Sequence, residues 1–193
     1  MEASLIAFLA SILLGALVVF TRGYHQRYTL DQVSAVRRKV HTTPAPRIGG
    51  FALVAGVAAG SLALEPEARS TAITLALCGI PALLGGLGED FTHKVSSTAR
   101  LCFTFTAAAI AYFVLDANIT ELDLPGSAWL LSFAIPSLLF TMFAVGGLAH
   151  GINIVDGLNG LAGFTALMVL GAIAWVATQV GDQPIRRNRP RPR

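Results

Sequence analysis

The chain has 193 residues, of which 54% are hydrophobic and only 13% are charged. Soluble globular domains carry about a quarter charged residues, so this composition excludes an ordinary water-soluble domain. The net charge of +3 would suggest a nucleic-acid partner if the basic residues formed one folded face, but they are spread over short segments between apolar runs. The sequence therefore predicts a polytopic membrane protein that does not bind nucleic acid.

Apolar windows of about 17 to 25 residues, the length of a membrane-crossing helix, define the predicted elements. In chain order, the six predicted spans are residues 3–20, 48–64, 71–87, 101–115, 129–149 and 158–180. The fold class that we predict is an all-α bundle of about six transmembrane helices, with residues 1–180 as a single domain. Pro81 and Pro136 lie inside the third and fifth spans and should bend them, because proline removes a helix donor.

Basic residues set the predicted orientation. Six of them lie between the first and second spans: Arg22, Arg27, Arg37, Arg38, Lys39 and Arg47. Lys94 and Arg100 lie between the third and fourth spans, whereas the opposite side carries only Arg69 before residue 180. Because basic loops stay on the cytoplasmic side, residues 21–47, 88–100 and 150–157 are predicted to be cytoplasmic and the N-terminus to be outside.

The last 13 residues, 181–193, hold five arginines and are predicted to be a disordered basic tail. After six crossings this tail lies on the side that basic residues avoid. Three explanations stay open: a tail too short to change the topology, a basic surface arm, and the scar of a truncated or frame-shifted reading frame. The third is favoured because the Arg-Pro repetition is unlike the preceding sequence.

The first cytoplasmic segment of interest is residues 40–50. Two prolines extend the backbone just ahead of a predicted helix that begins with Gly49 and Gly50. A helix N-terminus with Arg47 beside it and His41 nearby could bind a phosphate group. The alternative is a plain connecting loop whose arginine contacts anionic lipid headgroups.

The second segment is residues 88–100, where Glu89 and Asp90 end an apolar span. Adjacent carboxylates repel each other, and they persist most readily where a cation or proton chemistry offsets the cost. Such oxygen-rich sites suit Mg²⁺, which binds one or two carboxylates together with substrate phosphates. Lys94 could then contact phosphate as a point charge. The alternative is an exposed loop with an ordinary acid pair.

The third segment is residues 150–162, in which Asn153, Asp156 and Asn159 recur every three residues. On a helical turn these side chains share one face. A lone intramembrane acid can be structural, but a polar triplet with glycines at the membrane edge favours a ligand site.

Together the three segments resemble the polyprenyl-phosphate N-acetylhexosamine-1-phosphate transferases, the membrane enzymes of glycosyltransferase family 4. The family pattern H-x-x-P-x-P-R-x-G-G matches residues 41–50, and the acidic pair with downstream basic residues matches 89–100. The pattern N-x-x-D-G-L-(D/N)-G-L-A matches residues 153–162. The resemblance is closer to transferases that initiate surface polysaccharides or teichoic-acid-type polymers than to the muramoyl-pentapeptide branch.

The resemblance implies a reaction that depends on Mg²⁺, with Mn²⁺ as an alternative, at the cytoplasmic face of the bacterial inner membrane. Undecaprenyl phosphate attacks the β-phosphorus of a UDP-sugar, UMP leaves, and a lipid-diphosphate sugar forms for cell-envelope polysaccharide synthesis. The implied catalytic residues are Glu89, Asp90 and Asp156, with Asp90 and Asp156 at the metal. The implied substrate contacts are His41, Arg47, Lys94, Arg100, Asn153 and Asn159. A homodimer is left open.

The sequence departs from the family pattern in several places. Glu89 stands where many members have Asp, and His150 stands where Asn is common. Members usually have further spans and a later cytoplasmic G-D-x-G-type segment, which Gly181 and Asp182 do not supply. We therefore expect a C-terminally truncated member with little or no activity. The alternatives are an inactive remnant and a small membrane transporter subunit, which should carry polar residues near mid-span.

Overall fold

The computed structural model describes residues 2–21, 49–92, 94–122, 124–155 and 161–180. Within these ranges the chain is entirely helical and irregular, without strands, as the predicted all-α class requires. The helices are α1 (Glu2–Phe20), α2 (Gly50–Leu62), α3 (Pro66–Cys78), α4 (Ile80–Thr92), α5 (Ser97–Leu115), α6 (Ser127–Leu131), α7 (Ala134–Val155) and α8 (Leu161–Val180).

Among the described helices, four are long and apolar enough to cross a membrane, namely α1, α5, α7 and α8. Helices α3 and α4 pass the same test together, with a bend of 46° between them, and make a fifth. Helix α2 is apolar but has 13 residues, about 20 Å of helix, which is shorter than a hydrocarbon core of about 30 Å. The structure therefore supports four or five spans and does not confirm the predicted six.

Both interior prolines lie in the first turn of a helix. Pro81 is the second residue of α4, and Pro136 is the third residue of α7. A proline ring clashes with the carbonyl four residues earlier, so the preceding helix must stop. The predicted bend near Pro81 is confirmed. In the fifth predicted span, α6 ends at Leu131 and α7 begins at Ala134, so Pro136 follows the break and does not bend α7 itself.

Small residues hold α1 and α2 together as an antiparallel pair. Gly60 faces Ala7, Gly56 faces Ser11, and Gly15 faces Ala52. Gly56 and Gly60 are buried, because without a side chain they allow the two backbones to approach closely.

Close contacts also fix α5 between α4 and α7. Gly85 of α4 faces Phe103 of α5, and Gly146 of α7 lies against Phe105. Both partners run antiparallel to α5, so the last turn of α4, the first turn of α5 and the last turns of α7 meet at one end. Phe91 of α4 touches Phe51 of α2, with ring centroids 6.5 Å apart, which brings the start of α2 to the same place. We call this the polar end.

At the opposite end, the chain after α5 turns back along α7. Asp116 ends α5 in the left-handed conformation, with φ of 54°. The N–H of Ile119 then donates to Thr141 Oγ1 at 3.1 Å, and Ser137 Oγ donates to the Ile119 carbonyl at 2.9 Å. Ser137 and Thr141 are 2% and 5% exposed, so they satisfy an irregular backbone in apolar surroundings.

Candidate active site

A cavity of about 160 Å³ opens between α4, α5 and α7 at the polar end. Its lining comprises Ala82, Gly86, Arg100, Thr104, Ala149, His150 and Asn153. On each of the three helices, lining residues are three or four positions apart, so they lie on the same face of that helix. The cavity exists because α4 contributes only two small residues, Ala82 and Gly86, to its wall.

The acidic pair lies in the last two turns of α4, next to this cavity. Glu89 and Asp90 are both partly buried. Glu89 follows Gly86 by three residues, so the carboxylate stands on the face of α4 that lines the cavity. Its Oε2 atom is buried and has no hydrogen-bond partner within the described ranges. Burying a carboxylate oxygen is costly unless something pairs with it, so this atom is a candidate ligand for a cation.

The basic residues flank the start of α5. Ser96 caps this helix by accepting the Ala99 N–H at 3.1 Å. Arg100 lies in the first turn, partly buried, and its Nη2 donates to Ser97 Oγ at 3.4 Å. The Nε of Arg100 is buried without a hydrogen-bond partner among the described residues. Lys94 is exposed on the segment between α4 and α5. The helix dipole and these cations together attract anions to the polar end.

His150 is a cavity residue to which the sequence analysis assigned no role. It lies on α7 beside Asn153, and its Nε2 is buried with no hydrogen-bond partner in the described part of the chain. The spacing of three between His150 and Asn153 places both on one helix face, which was a usable signal. The sequence analysis treated His150 only as a departure from the family pattern.

The structure therefore brings some of the predicted site residues together and leaves others untested. Arg100 and Asn153 line the cavity, Glu89 and Asp90 lie in the last turn of α4 at the same end, and Lys94 lies on the connection between α4 and α5. Four predicted residues fall outside the described ranges: His41, Arg47, Asp156 and Asn159. The convergence of Asp90 with Asp156 consequently stays a prediction.

The acidic pair fits a magnesium ion in chemical type, although it is not a complete protein site. Among the described residues, no group of three or more His, Cys, Asp and Glu side chains could hold a metal ion. Mg²⁺ typically uses one or two carboxylates plus waters and substrate phosphates, so it does not require such a group. The unpaired Oε2 of Glu89 is compatible with that donor set.

Sequence comparison assigns the family. The sequence model described as Glycosyl transferase family 4 matches residues 72–187, which include the acidic pair, the cavity residues of α5 and α7, and the N-x-x-D segment. The chain belongs to glycosyltransferase family 4. No solved structure matches it.

Curated relatives match most of this chain. It is 32% identical over 155 residues to a probable undecaprenyl-phosphate N-acetylglucosaminyl 1-phosphate transferase of Bacillus subtilis, over 79% of this chain and 41% of the relative. A decaprenyl-phosphate N-acetylglucosaminephosphotransferase of Mycobacterium leprae is 29% identical, over 70% of this chain and 36% of the relative. A phospho-N-acetylmuramoyl-pentapeptide-transferase of Mycobacteroides abscessus is 30% identical, over 86% of this chain and 54% of the relative.

The predicted resemblance is thus confirmed, and both of its branches occur among the relatives. The chain spans between 36% and 54% of the length of these three relatives. Bacterial relatives together with apolar helices of spanning length indicate a multi-pass membrane protein.

Proposed function

We propose that this chain is part of an enzyme that transfers an N-acetylhexosamine 1-phosphate from a UDP-sugar to undecaprenyl phosphate and releases UMP. The reaction would serve the synthesis of cell-envelope polysaccharide. The observation that carries the proposal is a cavity at the polar end that Arg100 and Asn153 line, with the buried, unpaired carboxylate oxygen of Glu89 on the next turn of α4. Family membership and the polyprenyl-phosphate names of two relatives support it.

The chemistry requires two anions to meet. An oxygen of the lipid phosphate forms a bond to the β-phosphorus of the UDP-sugar, while the bond from that phosphorus to the bridging oxygen breaks. UMP leaves with the bridging oxygen. The protein contributes mainly alignment and charge neutralisation to such a transfer. Arg100 and Lys94 supply positive charge, the Asn153 amide orients a substrate oxygen, and Glu89 can accept the proton of the lipid phosphate.

We further propose that the reaction uses Mg²⁺, or Mn²⁺ in its place. Asp90 and Asp156 would hold the ion, with Glu89 next to them. When bound, the ion would neutralise charge on the substrate phosphates. Asp156 lies outside the described residues, so its part in this proposal comes from the sequence.

The polar end is proposed to face the cytoplasm of the bacterial inner membrane. Lys94 and Arg100 lie at this end, whereas Arg69, at the start of α3, lies at the opposite end. That asymmetry follows the preference of basic loops for the cytoplasmic side. In this proposed orientation, a soluble nucleotide sugar and a membrane-bound lipid phosphate could both reach the candidate site.

The decisive experiment measures UMP release in nanodiscs containing undecaprenyl phosphate, with UDP-N-acetylglucosamine added. It uses a version of the chain extended to the length of its relatives. Asp90→Asn and Asp156→Asn should each lower the rate at least about a hundredfold, because each removes a carboxylate that acts on the reacting phosphates. Rates near wild type would remove these residues from the site.

Asp116→Asn is the matched control, since it makes the same chemical change at the opposite end. Asparagine tolerates the left-handed conformation of this position and keeps an acceptor for Asn118, whose amide donates to Asp116 at 2.9 Å. Its rate should equal that of wild type. No UMP release from the extended wild type, with any UDP-N-acetylhexosamine, would contradict the proposed function, and solute transport in its place would favour the transporter alternative.

A further inference from the structure

Two nitrogen atoms of cavity residues lack a hydrogen-bond partner among the described residues, and both can act as donors. Arg100 Nε and His150 Nε2 are both buried, and neither has a hydrogen-bond partner in the described ranges. Thr104, also in the lining, already donates its hydroxyl to the Leu101 carbonyl at 2.8 Å. Asn153 adds an amide at the rim. The wall formed by α4 offers only Ala82 and Gly86, so the polar character of the cavity comes from α5 and α7.

This donor set selects an oxyanion. A buried donor without an acceptor costs free energy, and a ligand that supplies acceptors recovers it. The planar guanidinium of arginine matches the geometry of phosphate, and charge-assisted bonds to phosphate are among the strongest hydrogen bonds in proteins. The volume of about 160 Å³ leaves room for a phosphoryl group.

We propose that Arg100 and His150 form a seat for one phosphoryl group, with His150 donating through Nε2. His150 is then a substrate-binding residue of this chain. The proposal deepens the proposed function and rests on it for the identity of the ligand. The phosphoryl group can belong either to the polyprenyl phosphate or to the nucleotide diphosphate, since both present the same oxygens.

The experiment uses the 193-residue chain in phosphatidylcholine nanodiscs, with two pairs of ligands. One arm compares UDP with uridine by calorimetry. The other compares undecaprenyl phosphate with undecaprenol by native mass spectrometry. Wild type should bind the phosphorylated member of at least one pair more tightly than its phosphate-free partner. The arm in which this holds identifies the source of the phosphoryl group.

Variants at position 150 then test the residue itself. His150→Ala should weaken binding of the phosphorylated ligand about tenfold, the scale of one lost hydrogen bond to a charged group, and leave the phosphate-free ligand unchanged. His150→Gln should restore most of the loss, because its amide nitrogen reaches the place of Nε2. Leu148→Ala is the matched control on the same helix, since Leu148 is 62% exposed on the face of α7 away from the cavity.

Two results would overturn the proposal: equal binding of phosphorylated and phosphate-free ligands by wild type in both arms, or unchanged binding by His150→Ala. Helicity and thermal unfolding are measured for every variant, and if His150→Ala does not fold, Arg100→Gln replaces it with the same expected loss. Phosphate binding that depends on His150, in a protein whose extended version releases no UMP, would refute the transferase and retain the seat. UMP release that is unaffected by His150→Ala would refute the seat and retain the transferase.

Discussion

Gly60 lies where α2 touches α1, and there is no room for a methyl group. An added Cβ would be 2.8 Å from the Cβ of Ala7, which is attached to the backbone of α1 and cannot rotate away. Gly60→Ala should therefore push the two helices apart and lower the free energy of unfolding by about 1–3 kcal/mol, the usual cost of overpacking. Unfolding in mixed micelles of increasing SDS content, followed by circular dichroism, measures this loss.

Gly163 in α8 provides the control, because nothing lies within 4 Å of a Cβ added there. Gly163→Ala should be neutral or stabilise the protein by up to about 1 kcal/mol, since alanine is the better helix former. If both substitutions lowered stability equally, the loss could not be attributed to the contact between α1 and α2.

Single residues were predictable where the chemistry lies along one stretch of chain. The acid pair at Glu89 and Asp90 and the amide at Asn153 stand in local patterns, and the structure places them at the polar end. The place of His150 in the cavity was missed because it depends on how α7 packs against α5. Sequence spacing tells which residues share a helix face, but it does not tell which face of α7 meets Arg100.

The segment after α5 is an element whose conformation depends on two hydroxyl groups of α7. Thr141→Val keeps the shape of the side chain but leaves the Ile119 N–H, now 3.1 Å from Thr141 Oγ1, without its acceptor. An unpaired buried donor costs about 1–3 kcal/mol, so the Ile119 amide should exchange with solvent about 5- to 150-fold faster. Hydrogen exchange of the peptide that contains Ile119 measures this change.

Thr178→Val on α8 is the matched substitution, since Thr178 is exposed and its hydroxyl donates only to the nearby Trp175 carbonyl. Exchange at Ile119 should not change in that variant. Unaltered exchange in Thr141→Val would mean that the hydrogen bond does not hold the segment.

The main helices were predictable as elements, and Pro81 indicated the bend between α3 and α4. Predicted spans over 3–20 and 101–115 agree with α1 and α5, because apolar composition alone defines them. Averaging hydropathy over a window hides a local break, so the gap between α6 and α7 was missed. The path of residues 116–122 depends on bonds to Ser137 and Thr141, which are distant in sequence.

At the scale of the whole molecule, exposed apolar side chains cover the spanning helices, and the candidate site lies at the polar end. No residue of the spanning window of α8 is buried against the rest of the described chain, and large side chains such as Phe164 and Leu167 are exposed. In a bilayer these side chains contact lipid at no cost. The charge asymmetry predicted that residues 88–100 and 150–157 share one side of the membrane; the ends of α4 and α7 and the start of α5 do lie at one end of the described chain, and the side of the membrane stays a prediction.

We expect the purified 193-residue chain to release UMP at least about a hundredfold more slowly than a version extended to the length of its relatives. Transfer between two anions relies on alignment from all sides, and misplacement by about 1 Å costs about a hundredfold. The described part of this chain supplies cavity walls from α4, α5 and α7 only. The comparison is made at equal protein concentration in nanodiscs with undecaprenyl phosphate, with Asp90→Asn of each protein as the background. Equal rates above that background would mean that residues 1–193 contain the complete catalytic machinery.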